Sequence, residues 1–177
     1  MVVVLAGRRP DPEDSPYRRF PVENAIAVRE RMRSVMVHLQ PRVYVSSGAC
    51  GADLLGQDVA RTLDIDSYVV LPYEADRFRR TSVVDRPGHW GELYDRIIRD
   101  AQKDDRLVNI ETESESPFLE TSREMLDISK ELARSEGSVN GVVVWEGGSK
   151  PEGDITKSLK ESIIKDGGSV REVSTSF

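Results

Sequence analysis

The sequence predicts an α/β fold, a doubly wound and mostly parallel sheet of five to six strands with helices on both faces. Three observations lead there. Short β-branched runs alternate with amphipathic stretches, the pattern of parallel strands joined by crossover helices. The apolar runs, Val2–Ala6 and Val142–Trp145 among them, are strand-sized and far short of the roughly 20 residues that cross a bilayer. No repeat, linker or second apolar centre interrupts the 177 residues, so one domain over 1–177 is expected.

Val2–Ala6 reads as a buried first strand, and Gly7–Arg19, rich in Pro, Asp and Arg, as a long loop. Pro21 suits a helix start, and Ala25, Val28, Met32, Val35, Met36 and Leu39 recur at helical spacing. The first helix is therefore expected over about Val22–Leu39, with Pro41 ending it. Arg42–Val45 is the second strand, and after a glycine-containing turn Leu54, Leu55, Val59, Ala60 and Leu63 mark the second helix. Ser67–Leu71 is the third strand. Pro72–Gly88 reads as a long loop holding four arginines, and long loops in compact domains are usually functional or disordered. Trp90, Leu93, Tyr94, Ile97, Ile98 and Ala101 suit a third helix, and Arg106–Ile110 a fourth strand. Beyond the acidic, serine-rich Glu111–Ser116, a fourth helix is expected over about Leu119–Ser135, with Met125, Leu126, Ile128, Ser129 and Leu132 inward. Gly141–Trp145 is the fifth strand, Gly147–Gly153 a turn, Asp154–Lys165 the last helix and Val170–Val173 a short final strand. With right-handed crossovers, a ligand is expected beyond the carboxyl ends of the strands, where strand order reverses.

Composition narrows the function classes. Cys50 is the single cysteine, which excludes an intramolecular disulfide and a cysteine-rich metal site; with only His38 and His89, no metal is expected. No secretory signal is visible, and a cytoplasmic protein without a membrane partner is expected. The net charge of −6 disfavours a general affinity for duplex DNA. That charge is uneven. Residues 1–100 hold 15 basic and 15 acidic side chains, every basic one an arginine, whereas residues 101–177 hold 10 and 16. Arginine suits bidentate recognition of phosphate or carboxylate, so a small phosphorylated ligand stays open.

The strongest chemical signal is Val43-Tyr-Val-Ser-Ser-Gly-Ala-Cys-Gly-Ala-Asp-Leu-Leu. Gly48 and Gly51 lie between a strand and a helix N-terminus, where backbone N–H groups can approach an anion and the helix dipole favours negative charge. No Gly-Lys-Ser/Thr follows, so the P-loop pattern is absent, and the spacing differs from G-x-G-x-x-G. A tight βα turn with Asp53 as a helix cap remains the alternative.

These motifs resemble the SLOG superfamily, a Rossmann-like group that includes Lonely Guy-type phosphoribohydrolases, DNA-processing protein A and nucleotide-sensing modules. Leu5-Ala6-Gly7-Arg8 is similar to its first motif, Ser47-Gly48-Ala49-Cys50-Gly51-Ala52-Asp53 to its second, and Val70-Leu71-Pro72 to the exit of its third strand. Ser122-Arg123-Glu124-Met125-Leu126 resembles the Arg-Asn-Arg-x-Met helix of some small members. The resemblance implies binding of a nucleotide or nucleotide-derived ligand, signalling nucleotides among the candidates, and a homodimer or higher homo-oligomer; no cofactor is expected. It departs at the late Pro-Gly-Gly-x-Gly-Thr-x-x-Glu motif of the phosphoribohydrolases, where this chain reads Val144-Trp145-Glu146-Gly147-Gly148-Ser149.

The expected ligand-binding residues are Gly7, Arg8, Arg9, Ser47, Gly48, Ala49, Gly51, Asp53, Pro72, Arg80 and Ser82. Of Arg77, Arg79, Arg80 and Arg86, at most one is expected to clamp a ligand, because charged clusters are commonly solvated. A second reading, hydrolysis or transfer at a nucleotide N-glycosidic bond, uses Glu120 and Glu124, which share a helix face at i,i+4. A third is a ligand-free structural or interaction domain. Trp90 and Trp145 are candidates to stack on a base, with Trp145 better placed as core, and Cys50 reads as a buried structural thiol.

Overall fold

A computed structural model describes residues 1–134, 139–148 and 153–177. Six strands form one sheet: β1 (Val2–Gly7), β2 (Val43–Ser46), β3 (Asp66–Leu71), β4 (Leu107–Asn109), β5 (Val139–Trp145) and β6 (Val170–Ser174). Their order is β4-β3-β2-β1-β5-β6, and every pairing is parallel. Six helices cover it: α1 (Ala25–Leu39), α2 (Ala52–Thr62), α3 (Ala75–Ser82), α4 (Trp90–Lys103), α5 (Pro117–Ala133) and α6 (Ile155–Lys165).

The steps β1→β2→β3→β4 run one way across the sheet, and right-handed crossovers put α1, α2 and α4 together on one face. The chain then returns over the opposite face through α5 to β5, and α6 packs beside α5. Strand order therefore reverses between β1 and β5. Alternate residues of β1 feed two cores. Val3 and Leu5 pack with Tyr44, Leu54 and Met32 on one side; Val2, Val4 and Ala6 pack with Val45, Met125 and Leu159 on the other. Burial on both faces explains why β1 is an unbroken apolar run instead of an alternating one.

Local chemistry sets the helix limits. In α1, Val28, Met32 and Met36 form the buried stripe, and Gln40 ends it in the left-handed conformation (φ 48°), its N–H donating to the Met36 carbonyl. Pro117 occupies the first turn of α5, where its missing N–H costs nothing. The Asp154 carboxylate accepts the Lys157 N–H at 3.2 Å and caps α6.

The segment Pro72–Gly88, read from sequence as a loop, contains α3. Its apolar signal is one phenylalanine among three arginines, too thin a stripe for periodicity to detect. Tertiary contact supplies the rest: Phe78 is buried, with ring centroids 5.9 Å from Tyr73 and 6.2 Å from Tyr94. The first helix also begins as a 3-10 turn over Val22–Asn24 before α1. The fourth predicted helix starts earlier than expected, at Pro117; its expected end at Ser135 lies outside the described residues, as does 149–152 of the Gly147–Gly153 turn. No helix among the described residues is long and apolar enough to cross a membrane.

Candidate functional site

A cleft of about 390 Å³ opens at the carboxyl ends of β1 and β2, beside the point of strand reversal. That volume falls within the range of small-molecule sites, roughly 300–1,000 Å³. Its floor is Leu5–Gly7, and its walls come from the loop after β1, the turn after β2, α3, and the first turns of α5 and α6. Three helices, α2, α5 and α6, begin at its edge and contribute Asp53, Phe118 and Thr156. Helix N-termini carry partial positive charge, so their convergence favours an anion.

The two glycine turns interlock backbone to backbone. The Arg8 N–H donates to the Val144 carbonyl at 2.8 Å, and the Arg8 carbonyl accepts the Ala52 N–H at 3.1 Å. A Cβ on Gly7 would sit 2.4 Å from Ala52 Cβ and 2.7 Å from the Val144 oxygen. Gly51 has φ +91°, and a Cβ there would meet the Arg8 oxygen at 2.7 Å. The Cys50 N–H donates to the Ser82 carbonyl at 3.0 Å, tying the end of α3 to the same turn. Among the described residues, the N–H groups of Gly48 and Gly51 meet no acceptor. The glycines therefore do pack tightly, as the bland alternative requires, while amides in the same turn stay uncommitted.

Arg8 is placed differently from what the sequence suggests. Its guanidinium is buried and makes a two-point pair with Asp154 (2.9 and 2.9 Å), a second with Glu146 (2.8 and 3.3 Å), and a bond to the Gly148 carbonyl at 2.6 Å. Burial alone would favour the neutral form, but the two carboxylates hold Arg8 charged. This side chain ties the end of β1 to the end of β5 and to the cap of α6.

Of the other expected residues, Arg9, Ser47, Ala49, Asp53 and Ser82 line the cleft with Gly7 and Arg8. Arg9 pairs with Asp85 and donates to the Cys50 sulfur at 3.4 Å. Cys50 is buried, and burial pushes its thiol up. Asp53 accepts the Ala49 N–H at 3.3 Å, and α2 has no side-chain cap bond. Burial pushes the Asp53 carboxyl up to about 7, against the lowering from the Ala49 amide and Arg9.

The remaining candidates stand outside the cleft lining. Gly48 faces Tyr94, Leu71 and Val69, and Pro72 is buried with its carbonyl accepting the Thr112 N–H at 2.9 Å. Arg80 is exposed on α3. The arginine of that segment that does line the cleft is Arg86, whose buried Nε has no hydrogen-bond partner, the Asp85 carboxylate standing 3.8 Å away. Arg79 pairs with Asp95 at 2.7 Å, and Arg77 lies over the Tyr73 ring. Glu120 and Glu124 are not brought to the cleft. The face of α5 that reaches it carries Phe118, Thr121, Ser122 and Met125, while Glu120 accepts from Thr112 beyond β4. That bond, then one from Ser114, lowers the Glu120 carboxyl, which suits a structural acceptor. Both tryptophans are core: Trp90 donates to the Pro87 carbonyl at 2.7 Å and Trp145 to Glu172 at 2.6 Å.

Sequence reasoning missed Tyr17, Phe118, Ser122 and Thr156 in the lining, and Glu146 and Asp154 as the partners of Arg8. Nothing local marks them. The N-cap position of Asp154 is the one signal that could have drawn attention, because an acid before a helix sits at a strand's carboxyl end in this fold.

Fold and cleft define a doubly wound, Rossmann-like α/β protein with a small-molecule-sized cleft at its switch point. No protein-family model matches the chain, and no curated protein matches it. Among solved structures it is similar to DNA processing protein A (DprA) from Streptococcus pneumoniae, at 15% sequence identity and a TM-score of 0.44. The match covers 98% of this chain and 58% of that one, so the chain spans little more than half the neighbour's length.

Proposed function

We propose that the chain is a SLOG-like module that binds a small phosphorylated ligand, a nucleotide or nucleotide derivative, in this cleft. The observation that carries the reading is Arg86. A cleft-lining guanidinium whose buried Nε lacks a hydrogen-bond acceptor is set among three helix N-termini and the Gly7 and Ala49 turns. A phosphate oxygen supplies that acceptor, with Arg9 as the second cation. Arg8 holds the frame of the site instead of the ligand. The carboxylates proposed for glycosidic chemistry lie elsewhere, so binding is favoured over hydrolysis.

Thermal denaturation with nucleoside mono-, di- and triphosphates, ADP-ribose and cyclic nucleotides tests the reading. A ligand at a hundred times its Kd adds about 2.7 kcal/mol, a rise of roughly 5–10 °C for a chain of this size. No shift with any of them would end the proposal. Arg86→Ala is expected to weaken the binding ligand by about tenfold or more, since a hydrogen bond to a charged group contributes about 1.5–3 kcal/mol. Its unfolding midpoint in urea without ligand should stay near that of the parent.

Asp53 adds a pH dependence. With its carboxyl at about 7, the cleft becomes less anionic as pH falls through 7, so an anion should bind more tightly at pH 6 than at pH 8. Stability has the same sign. The folded state holds the Asp53 proton longer than the unfolded chain, so this group lowers stability as pH rises from about 4 to about 7 and has no further effect above. Asp53→Asn keeps an acceptor for the Ala49 N–H and should flatten both profiles; unchanged slopes in titrations from pH 4 to 8 would remove Asp53 from this role.

A further inference from the structure

We infer that the outer part of the cleft is a nucleobase subsite formed by Tyr17 and Phe118, an inference that rests on the phosphorylated-ligand reading above. Large apolar side chains of the fold are mostly buried, yet Tyr17 is 66% and Phe118 43% exposed, and both line the same cleft from different elements. Single exposed aromatics need no explanation; two converging on one cleft do.

The backbone beneath both rings is fixed. The Ser15 hydroxyl donates to the Tyr17 carbonyl at 2.8 Å and accepts the Tyr17 N–H at 3.2 Å, which fixes the backbone beneath the ring. The Arg19 guanidinium lies over the Tyr17 ring at 5.3 Å, and its Nε is 3.5 Å from Glu146, the carboxylate already engaged by Arg8. One face of Tyr17 is thus backed by a cation anchored to the end of β5. Phe118 follows Pro117 in the first turn of α5, a rigid position.

The buried Ser122 of α5 and Thr156 of α6 also line the cleft, and among the described residues their hydroxyls meet no partner. Aromatic walls with free hydroxyls beside them fit a flat heterocycle whose edge carries donors and acceptors. Arg9 and Arg86 lie toward the glycine turns, so a nucleoside phosphate matches both halves of the cleft.

The test is calorimetric titration of the whole chain with AMP, GMP, CMP and UMP beside ribose 5-phosphate, which has the phosphate and sugar but no base. At least one nucleotide should bind about tenfold or more tightly than ribose 5-phosphate, as stacking of a base on an aromatic side chain implies. Tyr17→Ala with Phe118→Leu should remove that advantage and leave ribose 5-phosphate affinity unchanged. Because both side chains are exposed, the thermal midpoint of the doubly substituted chain should stay close to that of the parent. Equal affinity for nucleotides and ribose 5-phosphate, or a nucleotide advantage that survives the double substitution, overturns the base subsite and leaves the phosphate site standing. Absence of binding by all five overturns the base subsite; if the di- and triphosphates, ADP-ribose and cyclic nucleotides also fail to raise the thermal midpoint, the phosphate site falls with it.

Discussion

Arg8→Ala is expected to destabilise the fold by about 3–5 kcal/mol, the cost of leaving buried charges without their partner. The guanidinium is 4% exposed, and its removal takes a two-point ion pair from Asp154, itself 3% exposed in its side chain, and another from Glu146 at 15%. Neither carboxylate has water enough to replace the two contacts each loses. The loss should appear in urea denaturation followed by tryptophan fluorescence, since Trp145 lies 5.7 Å from the guanidinium and senses the same region. For a chain this long, it corresponds to a fall of roughly 10 °C in Tm. Arg8→Lys should recover only part, because a point charge cannot form two planar pairs at once. A change below about 1 kcal/mol would mean that the network contributes little net energy, as some buried ion pairs do when desolvation offsets attraction.

Gly51→Ala should cost about 3 kcal/mol, for two separable reasons. The backbone there, at φ 91° and ψ −127°, lies where only glycine is at ease, a strain of about 1–3 kcal/mol for another residue. The new Cβ would also press on the Arg8 oxygen at 2.7 Å and Pro10 Cδ at 2.8 Å, an overpacking cost of about 1–3 kcal/mol. Gly147 provides the control. It has a similar φ of 89°, but among the described residues a methyl group there would meet nothing within 4 Å, so Gly147→Ala carries backbone strain without that contact. A larger loss at Gly51 than at Gly147 in equilibrium unfolding is the expected result. Equal losses would show that the turns touch without depending on one another.

The parallel sheet was legible because its signals are local. Val2–Gly7 must be buried on both faces to be so continuously apolar, and the Val28, Met32 and Met36 spacing has one helical solution. The glycine turns at the exits of β1 and β2 lie at the edge of the sheet where the cleft opens. The helix α3 escaped because Phe78 obtains its partners from Tyr73 and Tyr94, not from a stripe of its own. Glu120 and Glu124 illustrate the opposite failure: their shared face was correct, but spacing does not say which way a face looks.

By itself the sequence determined the order and limits of most elements and the use of arginine as the only basic residue before Lys103. Tertiary structure decided what each arginine does. Arg8 meets Glu146 and Asp154 across 138 and 146 residues, whereas Arg86 keeps a buried nitrogen without a hydrogen-bond partner. Backbone preference and apolar periodicity act over a few residues and leave a local mark. Charge pairing depends on which strand ends the crossovers bring together, and no local pattern records that.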